Sequence, residues 1–146
     1  MIVIASDHAG VDLKAQIFEN LRDGGYEICD LGPPDSSSVD YPDFGHKVAA
    51  AVVAGEAEAG ILICGTGVGM SMTANRHPGV RAALCHDAFT AEMARRHNDA
   101  NVLCMGARVI GGGVAEQVVR VFLNTSFEGG RHQHRVDLIE IEREDS

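Results

Sequence analysis

Short apolar runs alternate along this chain with longer segments whose apolar residues recur at helical spacing. This alternation is typical of βα units, in which helices connect the strands of a parallel sheet. The pattern predicts strands at residues 2–6, 27–31, 60–64, 80–85 and 102–105. It predicts helices at residues 8–24, 43–55, 69–76, 87–97 and 113–123. With no internal repeat and no linker, the sequence predicts one α/β domain over residues 1–146.

Length and charge limit what such a domain can do. A chain of 146 residues can bury roughly two-thirds of its unfolded surface in one core, without disulfides or metals. The formal net charge is −9, whereas nucleic acids and anionic membranes attract proteins that carry a basic face. We therefore expect neither partner, and an anionic substrate would need a local concentration of positive charge.

The N-terminal apolar run and the cysteines indicate where the protein works. Residues 2–5 are too short for a signal peptide, and no apolar stretch approaches the length of a membrane span. The four cysteines, Cys29, Cys64, Cys85 and Cys104, are widely spaced and form no CxxC pair. Because neither a disulfide framework nor a zinc site is indicated, we expect a reducing cytoplasm. The histidines show no metal-ligand spacing and no nucleotide signature is present, so we expect no metal and no cofactor.

Chemically useful residues follow the first and the fifth predicted strands directly. In an open parallel sheet, ligands bind outside the carboxyl ends of the strands. Asp7 and His8 follow the first strand, although Asp7 is also suited to cap the next helix and His8 could be a solvated first-turn residue. Gly106-Ala107-Arg108 follows the fifth strand and adds a guanidinium group at the same edge.

A glycine loop, Gly65-Thr66-Gly67-Val68-Gly69, follows the third predicted strand. Its glycines let the backbone approach a ligand, and its amides can hold an anion or a developing oxyanion at a helix N-terminus. A plain tight turn and a dinucleotide site are the alternatives. Because Met70 stands where the third glycine of a GxGxxG fingerprint belongs, dinucleotide binding is the weaker interpretation.

Cys64 ends the third strand immediately before this loop. Strand cysteines are mostly buried small hydrophobes, which is our expectation for the other three. Clustered amides and a helix N-terminus can lower a thiol pKa from about 8.5 toward neutrality, and Cys64 would then be a nucleophile or a general base. Thr66 offers a nearby hydroxyl for relay or positioning.

Arg131 and Arg135 are four residues apart in the last apolar segment, 131–143, which we predict to be a helix that docks on another subunit. On a helix, the two guanidinium groups would share one face and suit a phosphate. The alternative is a solvated helix whose arginines pair with Glu128 or Asp137.

The segment Arg95-Arg96-His97-Asn98-Asp99 closes the helix predicted at residues 87–97. Its arginines suit the negative end of the helix dipole, and Asn98 is a candidate C-cap. His97 could nevertheless act as an acid or a base near neutral pH.

Taken in order, these motifs resemble the type B ribose-5-phosphate isomerase family, which includes galactose-6-phosphate isomerase subunits. The resemblance covers nearly the whole chain. Its motifs are Ser6-Asp7-His8-Ala9-Gly10, Asp40-Tyr41-Pro42, Gly60-Ile61-Leu62-Ile63-Cys64-Gly65-Thr66-Gly67-Val68-Gly69, Ala74-Asn75, Arg96-His97-Asn98-Asp99, Gly106-Ala107-Arg108 and Gly130-Arg131-His132-Gln133. Members that lack the cysteine use a glutamate where this chain has Met70, so the chain falls in the cysteine branch.

The resemblance implies a fold and a set of roles. The fold is a Rossmann-like αβα sandwich around a five-stranded parallel sheet, with an extra C-terminal helix, in a dimer or tetramer whose subunits share active sites. Cys64 would carry the proton between C2 and C1, and an enediolate oxygen would be stabilised by the loop residues Gly65, Gly67, Val68 and Gly69. Ring opening would be assisted by Thr66, Asp7 and His97. The sugar would contact Tyr41 and Asn98, and the phosphate would contact His8, Arg108, Arg131 and Arg135.

Other functions remain open from the sequence alone. The sugar could be allose 6-phosphate, galactose 6-phosphate or a tetrose phosphate instead of ribose 5-phosphate. A nucleotide-binding regulatory module would use the glycine loop without chemistry. A non-catalytic subunit of a hetero-oligomeric isomerase is a third alternative, which the complete set of Cys64, His97, Arg131 and Arg135 disfavours.

Overall fold

Five parallel strands form one sheet in the computed structural model, which describes residues 1–141. The strands are β1 (Ile2–Ser6), β2 (Ile28–Asp30), β3 (Ala59–Cys64), β4 (Ala82–Leu84) and β5 (Val102–Gly106). Each predicted strand is present, and the ends differ from the predicted ones by at most two residues. The order across the sheet is β2-β1-β3-β5-β4, so the direction of winding reverses between β1 and β3. Ligands of open α/β sheets bind at such a reversal, beyond the carboxyl ends of the strands.

Helices pack on both faces of the sheet. They are α1 (Val11–Asp23), α2 (Tyr41–Val53), α3 (Val68–Ala74), α4 (Ala88–Asn98), α5 (Gly112–Asn124) and α6 (Arg131–Asp137). Alternate strand residues point to opposite faces, and the buried residues divide accordingly. Ile4 lies in the core covered by α1, α4 and α5, whereas Val3 and Cys64 lie in the core covered by α2 and α3. The predicted three-layer α/β fold is confirmed.

The helix predicted at residues 8–24 is divided in two. Residues His8–Gly10 form one 3-10 turn, and the α-helix starts only at Val11. At the division Gly10 packs against β3, where an added Cβ would lie 2.7 Å from Ile63 Cγ2. This close packing sets the path of the chain as it leaves β1.

The last helix is shorter than predicted. α6 ends at Asp137 and packs against α4, and residues 142–143 of the predicted helix lie outside the described residues. Leu138, Ile139 and Ile141 follow it with more than half of their surface exposed. Within residues 1–141, no helix has both the length and the apolar character needed to cross a membrane.

Candidate active site

The end of β1 holds Asp7 at the reversal of the strand order. The carboxylate is buried, and its Oδ1 accepts hydrogen bonds from the amides of Ala9 at 3.0 Å and Gly10 at 3.2 Å. Asp7 therefore caps the 3-10 turn His8–Gly10, whereas the N-cap of α1 is Gly10, so the predicted capping by Asp7 holds for the turn and not for the α-helix. The amide of Asp7 also donates to the carbonyl of Ile63 at 3.0 Å, which joins the ends of β1 and β3. Asp7 is thereby fixed one strand away from Cys64.

His8 contacts the loop that follows β2. Its Nδ1 accepts a hydrogen bond from the amide of Val39 at 3.3 Å. A neutral imidazole that accepts at Nδ1 carries its proton on Nε2, so the ring can present a donor to a ligand. His8 is not a freely solvated side chain, because the loop fixes one side of the ring.

The glycine loop wraps around the sulfur of Cys64. The thiol is buried, and the amide of Gly67 donates to Sγ at 3.1 Å. Gly67 has φ +81°, and an added Cβ would lie 2.5 Å from Leu84 Cδ1, so only glycine fits without strain. The loop thus places a backbone donor directly against the sulfur atom.

The predicted anion-hole amides are not all available in this arrangement. The amide of Gly67 is used by Cys64, and the amide of Val68 donates to Thr66 Oγ1 at 3.3 Å. In the part of the chain that the structure describes, the amide of Gly69 has no acceptor. The amide of Gly65 likewise has no acceptor among the described residues, so Gly65 and Gly69 are the predicted anion-hole donors left to meet a ligand oxygen.

Tyr41 and Arg108 cover the two ends of the glycine loop. The Tyr41 ring lies directly over Gly69, where an added Cβ would be 2.6 Å from Tyr41 Cε2. The Arg108 guanidinium lies over Gly65, with Nη1 3.3 Å from the position of an added Cβ. Arg108 is anchored by its own amide, which donates to the carbonyl of Gly65 at 3.0 Å. An aromatic ring and a positive charge thus flank the glycine loop that holds the thiol.

The remaining predicted site residues lie beyond the amino-terminal ends of the strands, on the side of the sheet opposite to Cys64. Cys64 pairs with Gly106 at the carboxyl end of β5, whereas His97 and Asn98 end α4 just before β5 begins at Val102. The length of β5 alone separates the two groups by about 13 Å, at roughly 3.3 Å per residue. The chain therefore does not bring His97 and Asn98 to its own Cys64.

Arg131 and Arg135 lie with this second group, because α6 packs against α4. The amide of Glu128, just before α6, donates to the carbonyl of Arg96 at 3.0 Å. Among residues 1–141, neither Arg131 nor Arg135 forms an ion pair, because Glu128 pairs with Arg96 and His132. The interpretation of Arg131 and Arg135 as partners of Glu128 or Asp137 is wrong, since Asp137 accepts instead from Gln133.

The end of α4 differs from the prediction in its cap. Asn98 is the last helical residue, and the cap is Asp99, which adopts a left-handed conformation at φ +47°. The prediction of Asn98 as the C-cap is therefore wrong. Asp99 holds this strained conformation because its carboxylate pairs with Arg95 at 3.0 Å and Arg81 at 3.5 Å.

Two histidine contacts were missed from the sequence. His132 stacks on His97 with 4.4 Å between ring centroids, and its Nε2 lies 3.4 Å from Glu128 Oε2. His86 accepts a hydrogen bond at Nε2 from the amide of Gly106, opposite Cys64. The position of His86 directly after the fourth predicted strand could have identified it, whereas no spacing links His97 to His132.

The other buried cysteines behave as expected for core residues. Burial raises the pKa of Cys85 and, more strongly, the pKa of Cys104, to which the nearby Cys64 and Cys85 also contribute. Both thiols therefore stay protonated at neutral pH. Cys29 is half-buried on the edge strand β2.

Comparison with known proteins identifies the class to which this fold and site belong. Residues 2–139 match the family model described as Ribose/Galactose Isomerase. Ribose-5-phosphate isomerase B of Escherichia coli is 46% identical over 138 residues, which are 94% of this chain and 93% of that protein.

Solved structures agree with this match. Ribose-5-phosphate isomerase B of Clostridium thermocellum has a TM-score of 0.94 and 51% identity, over 94% of this chain and 93% of that one. Ribose 5-phosphate isomerase from Thermotoga maritima has a TM-score of 0.94 and 47% identity, over 95% and 96% of the two chains. The chain belongs to the Ribose/Galactose Isomerase family, and the resemblance noted in its motifs is confirmed.

Proposed function

We propose that the protein interconverts ribose 5-phosphate and ribulose 5-phosphate, with Cys64 moving a proton between C2 and C1. Relatives of 46% and 51% identity over almost the full chain are ribose-5-phosphate isomerases B, and they support the substrate and the reaction. The observation that carries the mechanism is the buried Cys64 sulfur, held against the Gly67 amide at the strand reversal.

The reaction begins after the sugar ring opens. The thiolate takes the proton from C2 of the aldose, and the electron pair moves to the carbonyl oxygen at C1, which gives an enediolate. The thiol then returns the proton to C1, the hydroxyl proton on O2 passes to O1, and the C2 oxygen becomes the carbonyl, so that no hydrogen is gained or lost. The amides of Gly65 and Gly69 would stabilise the negative oxygen, and Arg108, which lies over Gly65, would attract the substrate dianion. Asp7 and Thr66 are the nearby groups that would move protons during ring opening.

The site is completed by a second copy of the chain. His97, Asn98, Arg131 and Arg135 are needed for ring opening, sugar binding and phosphate binding, yet they lie at the edge opposite Cys64. A homo-oligomer in which the α4 and α6 edge of one subunit faces the glycine loop of the next would bring the two groups together. Exposed apolar side chains on and after the helices suit such contacts, as at Phe89 and Leu138.

The two arginines of α6 would then bind the phosphate from the partner. Both are exposed, and they lie one helical turn apart on one face. In a chain of net charge −9, a phosphate monoester of about −1.5 to −2 charges needs such a local cluster. We expect the oligomer to work in the cytoplasm, where sugar phosphates are kept.

The test is ketose formation from ribose 5-phosphate by the purified protein in the presence of EDTA. Cys64→Ser is expected to abolish turnover, whereas Cys29→Ser, at a half-buried thiol away from the site, is expected to retain it. Galactose 6-phosphate and allose 6-phosphate are run in parallel, and activity on a hexose phosphate alone would keep the mechanism and change the substrate. Turnover by Cys64→Ser at the wild-type rate would overturn the role of the thiol.

A further inference from the structure

Three potential metal ligands meet where α6 packs against α4. The ligand atoms of His97, Glu128 and His132 all lie within 4.8 Å of one another. The two imidazole rings are stacked with an angle of 14° between their planes, and Glu128 Oε2 lies 3.4 Å from His132 Nε2. We propose that these three side chains bind a divalent transition-metal ion of the Zn²⁺ type.

The three ligands are held in place by the backbone around them. The amide of Glu128 donates to the carbonyl of Arg96, which ties the backbone of Glu128 to the residue next to His97. The amide of His132 donates to the carbonyl of Gly129, and the His132 side chain is largely buried. The backbone positions of Glu128 and His132 are thus fixed close to His97, and the stacked rings would turn out of parallel to direct both nitrogens at one ion.

The ligand types indicate which ion would bind. Two imidazole nitrogens and one carboxylate oxygen are a ligand set of zinc enzymes, and they leave a fourth position open for water or another ligand. Mg²⁺ and Ca²⁺ prefer all-oxygen sites, so they are disfavoured.

The nearest positive charge does not block the site. Arg96 Nη1 is 3.9 Å from Glu128 Oε1, but Arg96 Nη2 also pairs with Glu92 at 3.0 Å. Arg96 therefore keeps a carboxylate partner when Glu128 turns toward an ion, and the loss of its longer contact to Glu128 costs little at this exposed position.

Metal binding is tested directly on EDTA-treated, desalted protein. Zn²⁺ is titrated against a chromogenic chelator, and the Co²⁺ form is examined by visible absorption. A His77→Gln background is used throughout, because His46 Nδ1 and His77 Nε2 lie 2.7 Å apart and form another imidazole pair. We expect one ion per chain and a Co²⁺ spectrum typical of nitrogen and oxygen ligands.

The variants assign the ligands. His132→Gln and Glu128→Gln are each expected to weaken binding at least about tenfold, since even second-shell partners of metal ligands cost about 10–100-fold. His134→Gln is the matched control, because His134 is an exposed histidine of the same helix outside the cluster. Binding that is equally strong in His132→Gln and His134→Gln would overturn the proposal. The absence of a bound ion would also overturn the proposal. A sulfur-to-cobalt charge-transfer band would overturn it as well, because it would place the ion on a cysteine.

The consequence for catalysis rests on the proposed function. An ion on His97 would remove this imidazole from the substrate, so Zn²⁺ should inhibit isomerisation, EDTA should reverse the inhibition, and His132→Gln should raise the inhibiting concentration by the factor found for binding. Undiminished inhibition of His132→Gln would place the inhibiting ion elsewhere and overturn this consequence. Failure of the protein to isomerise, with Zn²⁺ binding intact, would count against the proposed function and leave the metal site standing.

Discussion

The amide of Gly67 donates a hydrogen bond to the sulfur of Cys64, three residues earlier in the chain, at a distance of 3.1 Å. The bond depends on the left-handed conformation of Gly67 at φ +81°. It also depends on the absence of a side chain, because a Cβ added at Gly67 would collide with Leu84 and with the backbone of Met105. The position of the proposed base is therefore tied to the packing of β4 and β5 beneath the loop.

Replacing Gly67 is expected to damage both stability and activity. In Gly67→Ala the new Cβ would lie 2.5 Å from Leu84 Cδ1 and 2.9 Å from the carbonyl carbon of Met105. Gly79→Ala is the matched control, since Gly79 has φ +89° but open space around it. Denaturant unfolding should show Gly67→Ala to be about 1–3 kcal/mol less stable than Gly79→Ala. Equal stability of the two variants would contradict the packing described here.

The contact between Gly69 and Tyr41 predicts coupling between these positions. Gly69→Ala must displace the Tyr41 ring, because the added Cβ would lie 2.6 Å from Cε2. Its cost should shrink in a Tyr41→Ala background, where the ring is absent. A double-mutant cycle on the free energy of unfolding should give a coupling of about 1 kcal/mol. Strict additivity of the two substitutions would show that the ring does not restrict position 69.

Mixed oligomers test whether the active site is shared. Cys64→Ser and Arg131→Ala chains should each be inactive alone, because each lacks one half of every site. When the two are unfolded together and refolded as a mixture, random dimers should recover about a quarter of the wild-type activity, since half of the dimers contain one intact site. Ketose formation measures the recovery. Activity that stays at the level of the separate variants would indicate that each chain builds its own site.

The buried Lys14 should stabilise the loop that contacts His8. Its Nζ lies 2.8 Å from Asp30 Oδ1 and 2.6 Å from the carbonyl oxygen of Pro33. Lys14→Met leaves that buried carbonyl without its donor, and we expect the free energy of unfolding to fall by about 1–3 kcal/mol. Lys47→Met, at an exposed lysine of α2, should cost clearly less. Similar losses for the two variants would show that the Lys14 contacts add nothing to stability.

His77 should make stability sensitive to acid. Burial lowers the pKa of His77, and the neighbouring His46 lowers it further. The unfolded chain then binds more protons than the folded chain between the lowered pKa and about 6.5, so unfolding becomes easier as the pH falls through this window. His77→Gln should flatten the decline in melting temperature from about pH 7 to about pH 5. Parallel curves for wild type and variant would exclude a contribution from His77.

The sheet could be predicted because its determinants are local. β1 and β3 are uninterrupted apolar runs, as strands covered on both faces must be, and their ends are marked by Asp7 and by the glycine loop. The division of the first helix could not be predicted, because it falls at Gly10, whose packing partner Ile63 lies 53 positions further along the chain. Only the folded arrangement shows that Gly10 has no room for a side chain.

The candidate site was predictable where it follows strands and not where helices meet. Cys64, Tyr41 and Arg108 come together because the carboxyl ends of parallel strands share one edge. The stacking of His97 on His132 joins α4 to α6, and no repeat in the sequence connects these two positions. The correct cap of α4, Asp99, depends in the same way on a distant residue, Arg81.

Cys64 and Arg131 lie at opposite ends of the strands of one sheet. The specific activity of the proposed oligomer should therefore depend on the protein concentration. A subunit released by dilution would keep its fold and its thiol but lose the phosphate-binding arginines of its neighbour. Specific activity would therefore fall as the protein concentration falls. A defective chain in a mixed population would also silence a site built around a neighbour's intact thiol. Selection on this sequence would then act on pairs of chains. A defective chain would lower the activity of an intact partner in addition to being inactive itself.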